Sequence, residues 1–178
     1  MQNVILECGS VRLVPFSQAD LNAVRELHSD KDVVDCLVDE GQPKASNFAS
    51  RFLADAEEST RKHGFSRWKA LTSDGLFVGW AGFSAFEETS EIGLCYCYEA
   101  EAIKETPELP AQMCKALANW FFENTYFSHL VAMVRTDNKS ARDNLHASGF
   151  GYRESRQISG MPCDLFQLFS PSMQTYVL

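Results

Sequence analysis

Apolar positions change their period several times along this chain, and the changes mark out alternating extended and helical blocks. Residues 11–14 (VRLV) form a short apolar run stopped by Pro15, which reads as a strand. Ser17 then suits the cap of a helix from Gln18 to about His28, with Leu21, Val24 and Leu27 on one face. Val33, Val34, Leu37 and Val38 suggest a short second helix, broken at Gly41-Gln42-Pro43. A better helix starts at Ser46, spaces Phe48, Phe52, Leu53 and Ala56 helically, and closes at Gly64. The period then shortens to two. Runs at 65–71 and 76–86 flank Ser73-Asp74-Gly75, a hairpin turn signal, and a third run follows at 92–98.

Alternation in that third strand puts Ile92, Leu94, Tyr96 and Tyr98 on one face and Glu91, Gly93, Cys95 and Cys97 on the other. Residues 99–110 hold four glutamates and two prolines, a composition that predicts no core element. Pro110 fits the first turn of the next helix, 111–124, whose Met113, Ala116, Leu117, Trp120 and Phe121 form a wide apolar stripe. Residues 130–134 give another strand. Asn138 caps a helix that stops at Gly149, where a left-handed turn costs glycine nothing. Two closing strands follow at 151–156 and 164–169. The order predicts an α/β domain over 1–178: a mixed, mostly antiparallel sheet of six to seven strands with helices on both faces.

Composition narrows the partners more than the fold. Sixteen basic against twenty-four acidic residues leave a formal charge of −8, with no basic stripe to track a phosphate backbone, so nucleic acid is excluded as a partner. No apolar run is long enough to span a bilayer, which excludes a membrane partner and predicts a cytoplasmic protein. The six cysteines are scattered in a chain too large to need staples, and Cys95-Tyr96-Cys97 lacks the spacing of a zinc or redox pair. No metal is expected.

A strand delivering its C-terminal end to a helix N-terminus, as at 130–138, suits an anion or a phosphorylated cofactor. The run VAMVRTDNKSARDNLHASGF at 131–150 resembles the last motif of the GNAT superfamily of N-acetyltransferases, especially the RimJ/RimL-like branch that modifies ribosomal protein N-termini. Arg12-Leu13 with Asp20 resembles the opening strand and helix of that family, and Phe77-Val78-Gly79-Trp80-Ala81-Gly82 its central hairpin. Glu91-Ile92-Gly93-Leu94 resembles its next strand and Trp120-Phe121-Phe122-Glu123 the end of its third helix.

The resemblance implies transfer of an acetyl group from acetyl-CoA to the amine of a small molecule or a peptide N-terminus, with a homodimer as the assembly. Glu91 is then the first candidate base and Glu88 the second, and Tyr96 the candidate proton donor, because the tyrosine usual in the last helix is Leu145 here. Asn138 and Ser140 match coenzyme-contacting positions, and Arg142 stands near enough in sequence to meet a phosphate. Cys95 and Cys97 lie on the strand whose backbone holds the pantetheine arm. The pyrophosphate loop departs from the family pattern: Thr106 and Glu108 replace glycines and Gln112 a glutamate, so backbone approach to an anion is crowded. The alternative is a catalytically degenerate member used for binding.

Overall fold

A computed structural model of the chain describes residues 3–30, 33, 47–86, 90–158 and 160–174. Strands β1 (Leu6–Cys8) and β2 (Val11–Val14) form a hairpin, followed by helices α1 (Leu21–Ser29) and α2 (Phe48–His63). Strands β3 (Arg67–Thr72), β4 (Phe77–Ala85) and β5 (Ile92–Tyr98) come next, then a short helix α3 (Ala100–Glu105) and the long α4 (Leu109–Asn124). Strand β6 (His129–Arg135), helix α5 (Lys139–Ala147), strands β7 (Gly151–Ile158) and β8 (Met161–Phe169), and a terminal turn α6 (Pro171–Gln174) complete the order.

The strands form one eight-stranded sheet in the order β1-β2-β3-β4-β5-β6-β8-β7. Its pairs are antiparallel except β5 with β6. The extra strand relative to the expected six or seven is β1, three residues too short and polar to carry a period, whose partner is the predicted strand β2. The segment before α4 also departs from expectation. It winds into α3, which buries none of its residues, and α4 begins two residues early because Leu109 and Pro110 are buried. The second helix suggested by Val33 to Val38 lies outside the described residues, Val33 apart.

Each sheet face has its own core. On one, Leu94, Tyr96 and Tyr98 of β5 and Leu130, Ala132 and Val134 of β6 pack on Met113, Leu117 and Phe121 of α4 and Leu145 of α5. On the other, Trp80 and Cys97 pack on Val24 and Leu27 of α1 and Phe52 and Leu53 of α2. The Trp80 indole N–H donates to Nε2 of the nearly buried His28 at 2.9 Å, fastening α1 to the sheet. Gly82 explains how β4 sits so tightly in the middle: at φ +154°, an added Cβ would lie 2.2 Å from the Ser66 carbonyl oxygen.

Candidate active site

Strands β5 and β6 are parallel neighbours that share one register pair, Gly93 with Val131. Beyond it they part, while each stays bonded to its outer neighbour. Strand β5 follows β4 as far as Tyr98 opposite Gly79, and β6 follows β8 as far as Arg135 opposite Cys163. The result is a wedge that opens toward α3, α4 and the start of α5. On its α4 side the Tyr96 and Tyr98 rings stack with centroids 5.2 Å apart.

On the opposite face, beneath α2, a cavity of about 430 Å³ reaches the apex of this wedge. Cys95 and Met133 line it, and they are the first residues on this face beyond the Gly93–Val131 pair, one from each strand. Phe86, Met133 and Ile158 give apolar wall, while Asp55, Glu58, Lys62 and Arg67 supply charge. Hydrogen bonds from Arg61 and then Lys62 pull the Glu58 carboxyl down to about 2, so that charge is satisfied locally. Cys95 is not in a disulfide, and its Sγ lies 3.8 Å from the Ser84 hydroxyl and from the Gly82 carbonyl oxygen.

Glu91 stands at the closed end of the wedge, outside the cavity lining. Its Oε2 accepts from Arg153 at 2.7 Å and meets His129 Nε2 at 2.8 Å, joining β7 and β6 to the start of β5. Burial by itself would raise this carboxyl, but the bonds from Arg153 and His129 together hold it below the ordinary carboxylate value. An ionised carboxylate accepts only, so the His129 proton sits on Nε2, and Nδ1 faces the Ser128 hydroxyl at 3.0 Å. Tyr96 is on the other face of the sheet, nearly fully buried, with its hydroxyl 3.4 Å from the Asn144 side-chain amide. Glu91 and Tyr96 are thus not brought together. Glu88 lies outside the described residues.

The candidate coenzyme residues divide in the same way. Asn138 caps α5, its side-chain oxygen accepting from the Ala141 N–H at 3.1 Å, and Ser140 beside it is exposed. Arg142 turns inward, donating to the Thr136 carbonyl at 3.2 Å and lying 3.7 Å from buried Asp164. Cys97 is fully buried and disulfide-bonded, which leaves only its backbone for the expected arm contact, and a chain expected to need no staple has one. Gln112 is exposed on the first turn of α4.

The wedge is bordered by the backbone of two parting strands, the kind of edge to which a pantetheine arm would bond. The nucleotide end fits poorly. The Leu109 N–H already donates to Thr106 O at 3.1 Å and the Gln112 N–H to Glu108 O at 3.0 Å, while Pro107 and Pro110 have no N–H to offer. Glu99, at the end of β5, has its carboxyl raised by burial and then by the nearby Asp30 and Glu26 charges, which is a poor setting for a pyrophosphate. Among the described residues no cluster of three or more metal-ligating side chains forms, and no helix is long and apolar enough to cross a membrane.

Sequence reading missed Arg67, Asp55, Met133, His129 and Arg153. Arg67 and Asp55 are remote in sequence from the motifs that signal the site, while Met133, His129 and Arg153 lie in or beside the last motif but join the site only through sheet register. Arg153 was the hardest to foresee, since the β7 irregularity between Tyr152 and Glu154 is what turns it toward Glu91.

This sheet, split between parallel strands with helices on both faces, is an acetyltransferase architecture, and the chain belongs to the acetyltransferase (GNAT) domain family, whose model matches residues 10–151. No curated protein matches it in sequence. Among solved structures it is similar to a GnaT-family acetyltransferase from Bordetella pertussis, with TM-score 0.77 and 16% identity over 93% of this chain and 99% of that one. It is also similar to an acetyltransferase from Salmonella typhimurium that modifies the N-terminal serine of a ribosomal protein, with TM-score 0.74 and 12% identity over 94% and 99% of the two chains. A spermidine N-acetyltransferase from Vibrio cholerae aligns with TM-score 0.70 and 10% identity over 96% and 99%.

Proposed function

We propose that this protein transfers an acetyl group from acetyl-CoA to a primary amine of a small molecule or a peptide N-terminus. The observation that carries this reading is the meeting of the β5–β6 wedge with the α2-side cavity at Cys95 and Met133. An arm lying in the wedge and an amine entering from the cavity reach the same point from opposite faces of the sheet. Acetyl-CoA supplies the activated thioester carbonyl. The apolar walls at Phe86, Ile158 and Met133 exclude water there and keep the attacking amine unsolvated.

Attack requires a neutral amine. Glu91, acting through water, takes the proton, with its carboxylate held ionised by Arg153 and His129. The same two bonds make it a weak base, so the cost of deprotonating an ammonium falls largely on bulk solvent, and the rate rises with pH. Leu145 is fully buried and can donate no proton. A thiolate of ordinary thiol pKa can nevertheless leave without a dedicated acid. Asn138 and Ser140 are assigned to the coenzyme arm near the α5 N-terminus. The ribosomal-protein and spermidine enzymes supply two acceptor classes to try, and the proposal takes the protein to be cytoplasmic and dimeric.

Mass spectrometry of a panel of amino acids, polyamines and N-terminal peptides incubated with acetyl-CoA tests this directly. A mass gain of one acetyl on any of them supports it. Complete absence of product at high enzyme concentration sinks it. A second reading, a binding member of the family without turnover, is favoured by the closed Thr106–Leu109 turn and its neighbouring glutamates. Calorimetry separates the two, since that reading requires acceptor or partner binding with no acetylated product.

A further inference from the structure

Arg67 lines the cavity and forms no ion pair with a carboxylate among the described residues. Its guanidinium lies over the Phe52 ring, 3.9 Å from the centroid, with the Trp80 ring 5.7 Å away. Such a stack holds the plane of the guanidinium and leaves its N–H edge free for a planar anion. Sheet register sets the distance to the wedge. Arg67 is opposite Gly82, and Gly82 is opposite Cys95, so the three form one row across β3, β4 and β5. The backbones at its two ends are about 10 Å apart, two strand spacings. Gly82 puts no side chain between them, and Arg67 and Cys95 line the same cavity.

We infer that the acceptor carries a carboxylate close to its amine: an α-amino acid with an apolar side chain, clasped by Arg67. This rests on the acceptor reading of the cavity given above. Bidentate pairing with the guanidinium fixes the carboxylate at the Arg67 end, and the amine then projects toward Cys95 and Met133. The side chain lies on Phe86 and Ile158. Glu58 does not compete for a cationic acceptor, because Arg61 and Lys62 already hold it. Asp55 is the one carboxylate lining the cavity without an ion pair among the described residues, and it is exposed. Asp55 makes a polyamine the competing acceptor.

The test uses the full chain with leucine, methionine and phenylalanine, their amides, and spermidine, measured by calorimetry without coenzyme and by product formation with acetyl-CoA. The free amino acids are expected to bind, and the amides to bind more weakly by about 30-fold, the loss of one charge-assisted bidentate pair. Arg67→Gln should erase that preference, and Arg67→Lys should restore part of it. Equal binding of acids and amides, tighter binding of spermidine, or no binding of the amino acids at high millimolar concentration overturns the inference. The comparison of acids with amides uses the unaltered protein, so it stands even if the variants fold poorly. Acetylated spermidine without acetylated amino acids would defeat this inference and leave acetyl transfer intact. Arg67-dependent amino-acid binding without product would do the reverse.

Discussion

The Glu91 carboxylate serves two separable purposes, and pH tells them apart. Its folded pKa lies below the unfolded value, so its ion cluster stabilises the protein above the ordinary carboxylate range, and that contribution is lost as pH falls through the folded pKa. Glu91→Gln should therefore lower the melting temperature at pH 7 and narrow the gap to the parent protein as pH falls below about 4, in the acid range where the parent carboxylate protonates. If Glu91 also serves as base, kcat of the variant should drop at every pH while KM for the acceptor stays put; an unchanged kcat confines it to structure. Gly82 offers a cleaner structural test. Gly82→Ala forces a side chain against the Ser66 carbonyl and should cost more than about 1 kcal/mol in urea unfolding. Trp80→Phe removes the donor to His28 and is expected to cost about 1–3 kcal/mol by the same measurement.

At the scale of elements, the passage from β5 into α4 decides how the coenzyme is met. The acidic end of β5 is costly in itself. Glu99 has a raised folded pKa, so its ionisation opposes folding as pH climbs from the unfolded toward the folded value. Glu99→Gln should then raise the melting temperature at pH 7 and make no difference below about pH 4. Replacing both Thr106 and Glu108 by glycine should tighten acetyl-CoA binding several-fold by calorimetry, limited by the added entropy of two glycines. Unchanged affinity would mean that the two prolines, not side-chain bulk, block the approach. The sequence was most legible where a period was long: α2, α4, α5 and the central strands follow their apolar spacing, and Asn138 and Gly149 end α5 as their chemistry requires. It was least legible at β1 and α3, short pieces whose existence depends on a neighbour rather than on their own pattern. The candidate site divides in the same way. Motif residues such as Glu91 and Asn138 could be picked out, but the partners that fix their behaviour arrive through tertiary register.

For the whole molecule, the single Gly93–Val131 pair has a mechanical meaning. It is a seam between a five-stranded slab, β1 to β5, and a three-stranded slab, β6, β8 and β7. Each slab is internally laced by long antiparallel ladders, and little backbone bonding crosses from one to the other. The seam is riveted by α4 packed across the gap and by the Glu91 clamp, which reaches from one slab to His129 and Arg153 on the other. A molecule built this way yields first along its joint. Acid below the ordinary carboxylate range, by protonating Glu91, should let the slabs swing apart while each keeps its own ladder. Hydrogen exchange would register that as early loss of protection at Gly93 and Val131, with the interiors of β4 and β8 still closed.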